Sequence, residues 1–168
     1  MNGNVNPVGR AAVELAIRYE RSPGREVTYV GDGWPAGLIG EVGEWVQGRR
    51  PGARSFTCDL VSREPDGGLA RLIEVKGKGG RGSSVPITDR HREAMLDVGA
   101  DWWLYVVLDC QTAPALVVVR EPSRLRWALI TPAPELPEGQ YRGVGDEGTW
   151  GTMPADVLAA GEQVAVPL

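Results

Sequence analysis

The alternation of polar and apolar positions is clearest between Ser55 and Lys78 (SFTCDLVSREPDGGLARLIEVKGK), where two apolar runs flank Glu64-Pro65-Asp66-Gly67-Gly68. Pro, Asp and Gly in succession are turn chemistry, so the runs predict two strands paired antiparallel. Strand side chains alternate faces. Leu72, Glu74 and Lys76 therefore project to one side, and Ile73 and Val75 to the other. Folding the hairpin sets Asp59 beside Glu74. Charged groups inside an apolar strand are costly unless something nearby uses them. Two carboxylates and an ammonium at one spot make a divalent-metal site with a lysine beside it, the equipment for hydrolysing a phosphodiester. The competing reading of the same three residues is a cross-strand salt bridge on a solvated face.

The other segments supply the frame. Asn6-Pro7 reads as a helix cap and first turn, opening a helix to about Ser22 with Val8, Ala12, Leu15, Ala16 and Tyr19 as its core stripe. Residues 25–30 suggest a short strand. The Gly- and Trp-rich stretch 31–54 keeps no clean period and reads as an ordered loop, with one helical turn near 39–47. Residues 77–86 form a basic glycine loop. Thr88 caps a further helix that carries His91, Ala94, Met95 and Val98 on one face and stops at Gly99. Asp101–Asp109 is a buried strand, followed by strands near 116–119 and 127–131. The Pro/Gly-rich tail resists assignment. This order predicts an α/β fold with a central mixed β-sheet flanked by helices, a core over 1–130 with 31–54 as an insertion, and 131–168 as an extension packed on it.

Composition modifies the picture in one place. With 168 residues, 42% hydrophobic and net charge −4, the chain is one domain able to bury a core, and it is not a bulk polycation. Yet from Arg71 to Glu93 the bases Arg71, Lys76, Lys78, Arg81, Arg90 and Arg92 face only Glu74, Asp89 and Glu93, and Arg49, Arg50 and Arg54 lie close by. A basic patch on an acidic protein is expected. Cys58 and Cys110 sit in or beside apolar runs and read as reduced thiols of a cytoplasmic protein. No run of 18 apolar residues and no signal-like N-terminus is present, so no membrane association is expected.

Further candidates surround the hairpin. Glu14 lies off the apolar stripe of its helix, among Arg10, Arg18 and Arg21. It is either part of a helical ion-pair network or a third metal carboxylate. His91 is either a satisfied core histidine or a group at the mouth of the site. GKGGRG lacks the Lys-Ser/Thr ending and following helix of a phosphate-binding loop. The six tryptophans read mostly as core, with Trp34 and Trp45 in the long loop also candidates to stack on bases.

The series Asp59-x(14)-Glu74-x-Lys76, preceded by a helix carrying Glu14, resembles the PD-(D/E)xK, restriction-endonuclease-like nuclease superfamily. Within it, Gly9, Glu14, Tyr19-Glu20, Cys58-Asp59-Leu60, Ile73 to Gly77, Ile87-Thr88 and Trp103 to Val107 resemble the domain at the C-terminus of NO VEIN proteins, also found in bacterial helicase-linked and defence proteins. The likeness covers about residues 8–125. It implies that Asp59, Glu74 and the Val75 carbonyl bind Mg²⁺ or Mn²⁺, that Lys76 is the catalytic lysine and that Glu14 assists. Cys58 stands where the motif often has proline, and His91 where such proteins often carry Gln or Glu.

Together these readings predict a Mg²⁺-dependent deoxyribonuclease domain of a bacterial restriction or antiviral defence system, with Lys78, Arg81, Arg90, His91 and Arg92 on the DNA. The expected partners are DNA and a helicase or other defence subunit, with homodimerisation open. The alternative is a nuclease-fold module that binds DNA or a protein without cutting.

Overall fold

The computed structural model describes residues 7–133 and 147–166, and among these nine strands and four α-helices follow one another. They are α1 (Pro7–Arg21), β1 (Glu26–Tyr29), α2 (Leu38–Arg49), β2 (Leu60–Arg63), β3 (Leu69–Gly77), β4 (Val85–Thr88), α3 (Asp89–Val98), β5 (Trp102–Leu108), β6 (Ala115–Arg120), β7 (Ala128–Thr131), β8 (Thr149–Thr152), α4 (Pro154–Ala160) and β9 (Glu162–Val164). The main sheet has the order β1-β2-β3-β5-β6-β9 and is mixed: β3 and β5 run parallel, and the other neighbours are antiparallel. A second sheet, β4-β8-β7, stands beside it. The mixed α/β architecture is the one expected.

The hairpin forms as its turn residues dictate. The Glu64 amide donates to Gly68 O at 2.8 Å and the Gly67 amide to Glu64 O at 2.8 Å, with Gly67 at φ 89°. Leu60 pairs with Ile73 and Val61 with Leu72. The alternation of β3 then assigns its two faces. Ile73 and Val75 share a buried cluster with Ala12, Val13 and Ala16 of α1. Leu72 shares the opposite cluster with Leu38, Val42 and Val46 of α2 and Ala94, Met95 and Val98 of α3.

Helix α1 approaches β3 closely because its sheet-facing residues are small and because position 77 is glycine. A β-carbon at Gly77 would lie 2.7 Å from Val8 O and 2.9 Å from the Ala12 β-carbon. Gly77→Ala is therefore expected to push α1 off the end of β3 and to cost about 1–2 kcal/mol in urea unfolding, the scale of an overpacked contact.

One expectation is corrected. Residues 31–54 are not a loop with one helical turn: α2 spans twelve residues and buries Leu38, Val42 and Val46. Gly40, Gly43 and Gly48 mask its period, and Gly43 faces the Phe56 ring. Trp34 and Trp45 pack against that core, Trp34 edge-on to Phe56 at 5.7 Å and Trp45 under Arg49 at 5.0 Å. The stacking role expected for them is thus taken up internally. The tail, in turn, is woven into both sheets, β8 against β4 and β7, and β9 against β6. The expected Asn6 cap lies outside the described residues. No helix among the described residues is long and apolar enough to cross a membrane.

Candidate active site

Asp59 enters the sheet just ahead of β2. Its amide donates to Ile73 O at 2.9 Å and its carbonyl accepts from the Val30 amide at 2.8 Å, so its backbone is fixed on both sides. Its side chain turns back onto β3, where Oδ2 accepts from the Val75 amide at 2.9 Å. Glu74 and Lys76, two residues apart, project to the same face. Lys76 Nζ lies 2.6 Å from Glu74 Oε1. Glu74 is 1% exposed and the Lys76 side chain 23%, so the carboxylate lies inside and the ammonium at the opening.

The first turn of α3 closes the other side. His91 Nδ1 accepts from the Thr88 amide at 3.4 Å and lies 3.0 Å from the Thr88 hydroxyl. A neutral imidazole whose Nδ1 is an acceptor carries its proton on Nε2. That Nε2–H lies 3.3 Å from Glu74 Oε2 but is not aligned to bond it. Glu74 Oε2 is thus buried without a hydrogen-bond partner among the described residues, an arrangement that folded proteins seldom leave unused.

The electrostatics are those of a crowded, dry acidic pair. Burial, then the charge of Glu74, pushes the Asp59 carboxyl up to about 6. Burial also raises Glu74, against the pull of Lys76. Desolvation alone would lower Lys76, but Glu74 and Asp59 outweigh it and hold the ammonium above its ordinary value. Burial, with Lys76 adding to it, lowers His91 to about 4, so the imidazole is neutral at pH 7. Burial keeps the neighbouring Cys58 thiol well above its ordinary range, which makes it an apolar filler, not a nucleophile.

The structure brings together Asp59, Glu74, Lys76 and His91. It does not bring Glu14 to them: that residue is exposed on α1, which packs on the opposite face of the sheet. The buried carboxylate of α1 is Glu20. It accepts from the Ser62 hydroxyl at 2.6 Å, from the Arg71 guanidinium at 3.1 Å and from the Tyr105 hydroxyl. Its position is that of a structural anchor between α1 and the sheet.

The basic residues expected on DNA are mostly engaged within the chain. Lys78 Nζ donates to Ser84 O at 2.8 Å and closes the glycine loop. Arg81 pairs with Asp109, Arg90 pairs with Glu147, and Arg92 stacks at 4.2 Å on Trp150. Sequence reasoning missed Glu147. It is carried to the site's edge because the Asp89 amide donates to Gly148 O while Asp89 Oδ2 accepts from the Gly148 amide, at 3.0 and 2.7 Å. Among the described residues no three His, Cys, Asp or Glu side chains converge to hold a metal unaided.

Residues 10–119 match the family described as Protein NO VEIN, C-terminal. The chain belongs to the NO VEIN C-terminal family. The matched stretch contains Asp59, Glu74, Lys76 and His91, together with the main sheet from β1 to β6. It leaves the second sheet's β7 and β8, Glu147 and the closing β9 outside the part that defines the NO VEIN C-terminal domain. No curated protein and no solved structure matches this chain.

Proposed function

We propose that this NO VEIN C-terminal domain is a metal-dependent nuclease of the PD-(D/E)xK kind that hydrolyses DNA phosphodiester bonds, acting in bacterial restriction or phage defence. The observation that carries the reading is Glu74: a carboxylate 1% exposed, salt-bridged on one oxygen and orphaned on the other, beside an Asp59 whose ionisation it opposes. Burying such a pair is unfavourable in the absence of a cation. Asp59, Glu74 and the Val75 carbonyl fit a hard cation that completes its shell with water and substrate oxygens. Mg²⁺ or Mn²⁺, when bound, would supply an activated water and neutralise charge on the phosphate. Glu14, on the far side of the sheet, has no part in this set.

The chain's own residues account for the remainder. Lys76 holds its ammonium at the opening, where it can donate to a phosphate oxygen as charge builds there. His91 presents a fixed N–H donor beside it. Few of the neighbouring cations are unpaired, which supports delivery of the strand by a helicase or another defence subunit.

Incubating the protein with duplex DNA, single-stranded DNA and RNA, in Mg²⁺, Mn²⁺ or EDTA, tests the proposal. Cleavage of a DNA form that requires the divalent ion is expected. The second reading, a nuclease-fold module that binds without cutting, is favoured by the Lys76–Glu74 pair, which satisfies half of the carboxylate unaided. DNA binding with no cleavage in either metal would select it.

A further inference from the structure

His91 is the one histidine of the chain, and its ring is tethered through Nδ1. That nitrogen accepts from the Thr88 amide at 3.4 Å and lies 3.0 Å from the Thr88 hydroxyl, which leaves Nε2 facing Glu74 Oε2 at 3.3 Å. The direction of the Nε2–H donor is therefore decided by whatever holds Thr88 and the first turn of α3.

A segment far along the chain holds them. Thr88 ends β4 and pairs with Thr149 of β8. The next residue, Asp89, is clasped by three hydrogen bonds. Its amide donates to Gly148 O at 3.0 Å, its Oδ2 accepts from the Gly148 amide at 2.7 Å, and its Oδ1 accepts from the Trp150 indole N–H at 2.8 Å. An acidic residue in the first turn ordinarily serves the free amides and dipole of its own helix. Both oxygens of Asp89 instead bond residues 59 and 61 positions away. The clasp closes only over glycine, since a β-carbon at Gly148 would lie 2.9 Å from Asp89 Oδ2. Beyond Asp89, the Trp150 ring carries the Arg92 guanidinium at 4.2 Å, and Glu147 pairs with Arg90. Residues 147–150 thus grip Thr88, Asp89, Arg90 and Arg92, on both sides of His91, although none of the four falls within the family-defining stretch 10–119.

We infer that residues 147–150 are a positioning strap of the active site: by clasping Asp89 they fix the first turn of α3 and keep the His91 Nε2–H aimed beside Glu74 and Lys76. The inference rests on the nuclease reading and adds Asp89, Gly148 and Trp150 to it as positioning residues, which touch no substrate and act through His91. The physical need is plain. Helix α3 has ten residues, and a helix that short does not hold its own ends. Hydrogen bonds to a carboxylate are about twice as strong as neutral ones, so Asp89 is the residue able to anchor that turn. A displacement of about 1 Å in a donor aimed at reacting atoms is enough to slow a reaction severely. The strap therefore sets the rate from outside the matched domain.

The test labels histidine with ¹⁵N and reads the two ring-nitrogen shifts by NMR in EDTA, at about pH 8, where a free imidazole is also neutral. The sole histidine gives one pair of signals. Wild type is expected to show the single Nε2–H tautomer, with Nδ1 in its acceptor form. Trp150→Phe keeps a ring under Arg92 and removes one bond to Asp89, whereas Asp89→Ala removes both side-chain bonds. Each variant is expected to move the shifts toward the tautomer average of a free imidazole, Asp89→Ala further. In Mn²⁺, kcat for DNA cleavage should fall by about tenfold or more, with KM within about twofold. Val164→Ala trims β9, which packs on the sheet face away from α3; it should lower stability and leave both the shifts and kcat as in wild type. Shifts unchanged in both folded variants overturn the inference, because Thr88 alone would then hold the ring. Moved shifts with an unchanged kcat also overturn it, since His91 would have no part in cleavage. Equal movement in Val164→Ala would show a general loosening and defeat it as well. If wild type cuts no nucleic acid in either metal, the nuclease reading falls, and the shifts decide separately whether the strap holds His91.

Discussion

Lys76→Ala is expected to slow DNA cleavage by about a hundred- to a thousandfold, the loss that follows removal of one donor aimed at developing charge. Glu74→Gln should do the same by weakening the hold on the divalent ion. The two variants differ in what they do to the fold. Glu74→Gln preserves volume and leaves an oxygen for Lys76 to bond. Lys76→Ala strips a 1% exposed carboxylate of its partner, which would be severely destabilising if the charge persisted. Burial already raises Glu74, so loss of Lys76 shifts the carboxyl further toward its neutral form, and the domain is expected to stay folded with reduced stability. Circular dichroism and cleavage rates on one substrate check both statements. Rates equal to wild type in both folded variants would assign any cleavage to another site.

The hairpin was legible because two independent signals agree there. Glu64-Pro65-Asp66-Gly67-Gly68 fixes where the chain reverses, and a period of two fixes which side chains share a face. Asp59, Glu74 and Lys76 follow from those facts alone. Helix α1 shows the limit of the method. Its existence and the side it buries were plain from spacing, since Ala12 and Ala16 are buried and Leu15 and Tyr19 pack on the same cluster, but the burial of Val13 and Glu20 was not. A glutamate reads as polar and exposed unless its partners are known. Those of Glu20 come from β2, β3 and β5, 42 to 85 residues away in sequence. Glu14 lies off the core stripe, as expected, and is exposed; its assignment to the site comes from the family resemblance, which does not say which face of the sheet the helix covers. Glu147 was hidden for a related reason, since its position depends on Asp89 binding the Gly148 backbone across 59 residues. Strands of three or four residues such as β8 and β9 carry too few positions to display a period.

Asp59→Asn is expected to make the metal-free protein more stable at neutral pH, the reverse of what removing a salt-bridge partner does. The folded state raises Asp59 from an ordinary 3.8 to about 6, through burial first and Glu74 second. The folded chain therefore binds that proton more tightly than the unfolded chain does. Ionisation costs nothing below pH 4, takes away stability progressively between about 4 and 6, and has its full effect above 6. A rise of this size corresponds to about 2–3 kcal/mol. Asparagine keeps an oxygen for the Val75 amide and removes the charge, so its midpoint should exceed wild type by roughly 4–8 °C at pH 7.5, with no advantage at pH 4. Divalent ions should give wild type the same relief by another route: Mn²⁺ at about 100 times its dissociation constant stabilises by roughly 2.7 kcal/mol, and Asp59→Asn should lose most of that gain. If the cluster is instead a salt bridge complete in itself, Asp59→Asn lowers the midpoint and Mn²⁺ leaves it flat. A flat melting curve for wild type into millimolar Mn²⁺ would remove the metal from this site, because relief of the Asp59–Glu74 repulsion is the one interaction that only a bound cation supplies.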